Sequence, residues 1–369
     1  MTIASQSNLG DGILPAHGIE FLIENGGIGA YQPFTDAQIQ PASLDLRLGR
    51  VAFRVRASFL PGPDCTVEDK LKALCLHEID LGNGAVLETG CVYIVPLIEN
   101  LKLAPGISAA ANPKSSTGRL DVFTRVITDY GQSFDTVVTG YEGPLYAEIS
   151  PKTFSILVRE GSTLSQIRFR SGTCQHSDEE MRVLHEENTL VFSGNVDINN
   201  GIALSVDLKG SGKGSLIGYR AKRHSGLIDL SLIAAYEIDD FWEPILNRGD
   251  SSLILDPDQF YILVSKEAVH VPPSHAAEMV PINPLVGEFR VHYAGFFDPG
   301  FGHSKAGGTG SRAVLEVRSH DVPFVLDDGQ IIGRLIYERL TDVPEVIYGQ
   351  EIGSNYQAQG LKLSKHFKV

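Results

Sequence analysis

The chain has 369 residues, a formal net charge of −14 and 43% apolar residues. That length suggests two or three domains, each with enough apolar residues for an ordinary core, and the acidic balance argues against nucleic acid or an anionic membrane as the main partner. Four cysteines, Cys65, Cys75, Cys91 and Cys174, form no C-x-x-C pair and are too few for a disulfide framework, so free thiols are expected. The opening residues show no basic-then-apolar leader pattern, and no apolar run approaches the ~18 residues of a membrane span. A cytoplasmic location is the expectation.

In chain order, an apolar stripe of Ile19, Leu22 and Ile23 predicts a helix near residues 13–24. Short apolar runs bounded by turn residues predict strands at 91–97, 145–149 and 167–169. Ser177 followed three residues later by Glu180 is a capping-box pattern, predicting a helix over 177–188. A third helix is expected near 232–241, and further strands at 260–264, 313–317 and 331–337. The class is mainly β with a few short helices.

An internal repeat organises these elements. Ser43-Leu44-Asp45-Leu46 recurs as Ser205-Val206-Asp207-Leu208, and the segment from Leu87 to Ile94 recurs from Leu255 to Ile262. Asn112-Pro113 recurs as Asn283-Pro284, Tyr146-Ala147-Glu148-Ile149 as Val314-Leu315-Glu316-Val317, and Gly161–Phe169 as Gly329–Tyr337. The offset runs from 162 residues (Asp45 to Asp207) to 168 (Glu148 to Glu316), so order and spacing are kept. Two similar β domains are expected, 1–190 with the 177–188 helix as linker, and 191–369.

Three segments carry candidate chemistry. Lys114-Ser115-Ser116-Thr117-Gly118-Arg119 concentrates two serines and two cations in one turn. Hydroxyls, backbone N–H groups and a planar guanidinium suit phosphate oxygens. An ordinary polar turn is the plainer reading. Glu148 sits inside an apolar strand, sharing a face with Tyr146 and Ser150. A carboxylate rarely occupies such a place without a partner. A buried one beside an arginine can shuttle protons; a salt-bridged structural glutamate is the alternative. Glu316 has the same setting, but its repeat reads Leu285-Val286-Gly287-Glu288 where the first has its serines and arginine. The third segment, Ala294-Gly295-Phe296-Phe297-Asp298-Pro299-Gly300, reads as a hairpin whose aromatic and backbone groups could hold a base and sugar. The first repeat has Thr128-Asp129-Tyr130-Gly131-Gln132-Ser133-Phe134-Asp135 there, without Asp-Pro-Gly. Zinc deaminases need H-x-E with P-C-x-x-C; His77 is followed directly by Glu78 and no P-C-x-x-C exists, so no catalytic zinc is expected.

These residues resemble one family. Gln40-Pro41-Ala42-Ser43-Leu44-Asp45-Leu46-Arg47 is similar to the N-terminal signature of dCTP deaminases, and Lys114–Leu120 to their R-S-S-x-x-R-L segment, with lysine where arginine is usual. Gly140-Tyr141-Glu142-Gly143 followed by Glu148 resembles the stretch ending in the catalytic glutamate. Ala294–Phe301 resembles the nucleoside hairpin, and Asn355-Tyr356-Gln357-Ala358-Gln359-Gly360 the tail that closes over nucleotide. The double length resembles a long subgroup with two fused domains.

The resemblance implies two tandem dUTPase-like distorted β-barrel (β-clip) domains and hydrolytic deamination of dCTP to dUTP. Glu148, Arg119 and Ser115 would be catalytic. Lys114, Ser116, Ala294, Gly295, Phe297, Asp298, Tyr356 and Gln359 would bind substrate. Mg²⁺ would ride on the triphosphate, and dTTP is a further expected ligand, as inhibitor. Because each repeat lacks motifs the other keeps, a homo-oligomer with sites between domains or chains is expected. Rival readings are a dUTP diphosphatase, a bifunctional enzyme making dUMP, and a non-catalytic nucleotide-binding protein.

Overall fold

The computed structural model describes residues 10–192, 196–281, 289–291, 295–303, 310–319, 321–349 and 360–368. The chain forms two units: Met1–Cys174 with Gly226–Ala235 and Leu340–Asp342, and Gln175–Ser225 with Tyr236–Arg339 and Val343–Val369.

Both units are mainly β and repeat one strand order. In the first, one sheet runs Thr136–Val137, Ile107–Pro113, Thr163–Ser171, Ser43–Arg47, Ile39–Gln40. A second runs Val122–Thr128, Glu142–Pro151, Val92–Lys102, Val51–Val55, Cys75–Asp80. In the second unit the matching orders are Phe296–Phe297, His275–Pro281, Ile331–Arg339, Ile202–Ser205, and Phe289–Val291, Ser311–Ser319, Phe260–Val269, Leu216–Ala221, Trp242–Leu246.

The repeat extends to single bonds. Glu148 is the cross-strand partner of Ile94, and Glu316 that of Ile262. The Tyr93 hydroxyl accepts from the Glu88 amide at 3.1 Å, and the Tyr261 hydroxyl from the Asp256 amide at 2.9 Å. The apolar runs read as strands lie within observed ones, except that the 91–97 run starts one residue before its strand, Val92–Lys102. Gly49 is required where the chain leaves the Ser43–Arg47 strand: a Cβ there would stand 2.5 Å from the Pro96 carbonyl oxygen that its N–H bonds.

Helices follow their caps where the caps exist. Ala16–Glu24 buries Ile19 and Leu22. Asp178–Asn188 begins at Ser177, whose hydroxyl accepts from the Glu180 amide while the Glu180 carboxylate accepts from the Ser177 amide at 2.8 Å. Such a cap is worth about 1 kcal/mol. This helix belongs to the second unit, not to the first domain as expected, because Met181 and Leu184 are buried in the second unit's core. The boundary therefore falls near 174/175 rather than 190/191.

The expected helix over 232–241 is reduced to Ile238–Phe241. Ile228–Asp229 instead pairs in parallel with Ile156–Leu157 in the first unit, and Ala234 takes a left-handed φ of 50°, which ends any regular run. A helix not expected, Val67–Leu74, starts at a Thr66–Asp69 capping box and buries Val67 and Leu71.

Candidate active site

Glu148 is 1% exposed in the Glu142–Pro151 strand. Its partner on the neighbouring Val122–Thr128 strand is Arg125. Residues directly opposite in an antiparallel pair have Cβ atoms about 5 Å apart, and here the side chains meet. Arg125 Nε donates to Glu148 Oε1 at 3.1 Å, and Nη2 donates to the same oxygen. Glu148 Oε2 accepts from the Ser58 hydroxyl at 2.6 Å, and that hydroxyl accepts from Arg125 Nη2 at 3.1 Å. The guanidinium carbon lies 3.3 Å from the Phe134 ring centroid and 4.5 Å from that of Phe123, within the range of cation–π attraction.

The Lys114–Arg119 segment leads into the same strand. Ser115–Gly118 form one helical turn. The Lys114 carbonyl accepts from the Thr117 and Gly118 amides at 2.8 and 3.0 Å, and the Ser115 carbonyl from the Arg119 amide at 3.2 Å. Ser116 and Arg119 are buried, and Ser115 is half-buried. The Lys114 ammonium is paired with Asp45, a residue of the Ser43–Arg47 strand, and donates to the Thr163 hydroxyl at 3.1 Å.

Nearby polar groups are held by burial. Desolvation pushes the Tyr146 hydroxyl up to about 12, with the charges of Asp129 and Glu68 adding to it. Asp129 accepts from the Val67 amide at 2.7 Å and is raised by its own burial. Among the described residues no group of three His, Cys, Asp or Glu side chains is placed to hold a metal ion.

The remaining expected site residues lie in the second unit. Gly295 accepts from the Met279 amide at 3.1 Å, and the Asp298 carbonyl accepts from the Phe301 amide at 3.0 Å, closing the Asp-Pro-Gly turn. Phe297 is packed in that unit's core, its ring edge-on to Phe301 at 5.0 Å. Ala294, Tyr356 and Gln359 lie outside the described residues. Arg125, Ser58 and Phe134 were not singled out from sequence. Arg125 carried a usable signal, a charge inside the apolar run Val122–Thr128; Ser58 carried none, since it belongs to the connection after the Val51–Val55 strand.

Fold and site together define a tandem β protein in which a buried carboxylate, Glu148, is caged by a guanidinium and a serine hydroxyl. The pattern of the 2'-deoxycytidine 5'-triphosphate deaminase N-terminal domain matches residues 10–173, and that of its C-terminal domain matches 177–367. The chain belongs to this family. A solved structure of 2'-deoxycytidine 5'-triphosphate deaminase from Agrobacterium tumefaciens is 62% identical, with a TM-score of 0.86, covering 89% of this chain and 99% of that one. Two curated relatives are named dCTP deaminase, dUMP-forming. The one from Halobacterium salinarum is 34% identical over 128 residues, 33% of this chain and 60% of that protein. The one from Beutenbergia cavernae is 29% identical over 141 residues, 38% of this chain and 70% of that protein. The chain thus spans about 60% of the length of the Halobacterium relative. The family's fold agrees with the dUTPase-like expectation.

Proposed function

We propose that the chain deaminates dCTP hydrolytically, with Glu148 as the proton-transferring group. The observation that carries this reading is the buried Glu148 held by Arg125 and Ser58, in a chain 62% identical to a dCTP deaminase over nearly that protein's whole length. Glu148 takes a proton from water as the oxygen attacks C4 of cytosine, and passes it to N3. The remaining proton of that water, on the new C4 hydroxyl, passes to the exocyclic amine as the C4 carbonyl forms and the C4–N bond breaks to release ammonia. General acid–base work of this kind is worth roughly 10²–10⁴-fold in rate. Ser115 and Arg119 orient the water and stabilise the tetrahedral intermediate. Lys114, Ser116, Tyr356 and Gln359 hold the triphosphate, whose oxygens carry Mg²⁺ as part of the substrate. For Lys114 this requires exchange of its Asp45 contact for phosphate. Ala294, Gly295, Phe297 and Asp298 hold the nucleoside through backbone groups.

The product is dUTP in this reading. A second reading, dUMP with pyrophosphate, is favoured by the names of the curated relatives. Purified protein with dCTP and Mg²⁺ decides between them. Ammonia with dUTP supports the first, ammonia with dUMP the second, and no ammonia from any deoxycytidine nucleotide overturns both. We place the protein in the cytoplasm as a homo-oligomer inhibited by dTTP. Its four cysteines are free thiols, as a reducing compartment favours, and among the described residues no helix is long and apolar enough to cross a membrane. Light scattering and inhibition by added dTTP test the other two statements.

A further inference from the structure

The segment Asp129–Asp135 stands where the second repeat has its Asp-Pro-Gly hairpin, and it has a use of its own. Asp135 fastens it back onto the Val122–Thr128 strand: the Val126 amide donates to its carboxylate at 2.8 Å, and its own amide donates to the Val126 carbonyl at 2.9 Å. The Asp135 carbonyl also accepts from the Ala111 amide at 2.9 Å. These bonds fix Phe134 over the Arg125 guanidinium, with Phe123 on the same group. The guanidinium is therefore restrained by two aromatic rings as well as by its bonds.

The two oxygens of Glu148 are not held alike. Oε1 receives two N–H groups from one rigid fork, which cannot let go without moving against Phe123 and Phe134. Among the described residues Oε2 receives the Ser58 hydroxyl alone, a single-bond rotor that also accepts from Arg125 Nη2 and can turn away at little cost. We infer that Arg125, clamped by Phe123 and Phe134, is a positioning residue that commits Oε1 of Glu148 to an ion pair and so presents Oε2 as the oxygen that exchanges protons with water and cytosine. The inference rests on the deaminase reading. In it the altered hairpin of the first repeat serves as the clamp on the general base.

The test is steady-state ammonia release by wild type, Arg125→Met, Arg125→Lys and Phe134→Leu, with folding of each followed by circular dichroism and thermal melting. A geometric error at the reacting group lowers kcat, whereas loss of ground-state binding raises KM. Arg125→Met should lower kcat by about 10²-fold or more with KM changed less than about threefold. Arg125→Lys, which keeps the charge but loses the fork, should recover part of that loss. Phe134→Leu keeps the cation and frees it, and should lower kcat by about tenfold, again with little change in KM. Wild-type kcat in Arg125→Met, or a rise in KM alone, overturns the inference and leaves the deaminase reading intact. Should Arg125→Met fail to fold, wild-type kcat in both Arg125→Lys and Phe134→Leu overturns it. A wild-type chain that releases no ammonia overturns the deaminase reading and the inference with it.

Discussion

Arg125 and Glu148 face one another across an antiparallel ladder, with Nε 3.1 Å from Oε1, and Ser58 closes the cage on the other oxygen. The repeat places Glu316 at the equivalent strand position, but the chain around it differs. In the first unit, the connection from Val51–Val55 to Cys75–Asp80 delivers Ser58 to the carboxylate. The matching connection, from Leu216–Ala221 to Trp242–Leu246, contributes Gly226–Ala235 to the first unit instead. In sequence the second repeat also lacks the serines and arginine of the Lys114–Arg119 turn. Glu148→Gln should therefore lower ammonia release by at least about 10²-fold, while Glu316→Gln retains it. Product analysis of the two variants checks this; the reverse pattern would move the site to the second repeat.

A second buried ion pair serves folding rather than chemistry. Arg47 Nε donates to Glu99 Oε1 at 2.7 Å, and the Arg47 amide donates to Oε2 at 2.8 Å. Gln38 donates to Oε1 at 2.9 Å, while the guanidinium also donates to the Pro33 and Gln32 carbonyls. The side chains are 9% and 0% exposed. Removing one partner leaves the other charge buried without compensation, which costs about 3–5 kcal/mol. Glu99→Gln should lose that much in urea denaturation. Arg47→Met combined with Glu99→Leu should recover much of it, because an apolar pair of similar volume has no such penalty.

The strands were legible because each apolar run is short and ends in turn residues, and the Asp178–Asn188 helix because Ser177 and Glu180 write both halves of its cap. Glu148 was legible as a carboxylate inside an apolar strand. What brings Arg125 to it is strand register, which pairs residues 23 apart through a partner choice that no local pattern states. The Val67–Leu74 helix does carry an apolar stripe, Val67, Leu71 and Leu74, behind a Thr66–Asp69 cap, but it is only two turns long, short for periodicity to single out. The short strand Ile228–Asp229 is defined by its pairing with Ile156–Leu157, a tertiary choice that no local pattern states.

Acid should weaken the second unit through its paired histidines. His275 Nε2 lies 3.0 Å from His176 Nε2, and His275 Nδ1 2.9 Å from the Ser274 hydroxyl. Burial, with His176 and Arg339 nearby, pushes His275 from 6.5 down to about 4. His176 is also lowered, by burial and Arg339, against the opposing charge of Glu180. Between these values the unfolded chain binds more protons than the folded one, so stability falls as pH drops from about 6.5 toward about 4. His275→Gln cannot take up that proton. Its urea midpoint should depend less on pH across this window than that of wild type, whereas parallel curves would show that His275 contributes nothing.

The strand Ile228–Asp229 gives the last prediction, because its hold on the first unit depends on few groups. The Ile228 amide donates to the Ser155 carbonyl, and the Leu230 amide to the Leu157 carbonyl, both at 3.1 Å. Arg159 grips Asp229 with both terminal nitrogens, at 2.7 and 2.9 Å. Ser231 donates to the same carboxylate through its amide and its hydroxyl, at 2.9 and 2.7 Å. The arginine bonds come first in holding the Asp229 carboxyl well below the usual carboxylate range. Asp229→Ala removes these four side-chain bonds at once and leaves the backbone pairing with Ile156–Leu157 to hold the strand. Hydrogen exchange at Ile228 and Leu230 should then speed up by about tenfold or more, reporting local opening rather than global unfolding. Exchange within Thr163–Ser171, in the adjoining sheet, should stay as in wild type. Salt should accelerate exchange at Ile228 and Leu230 in wild type but not in Asp229→Ala, since only the former has an exposed ion pair to screen. Equal rates in the two proteins at low salt would mean that backbone pairing alone secures the strand.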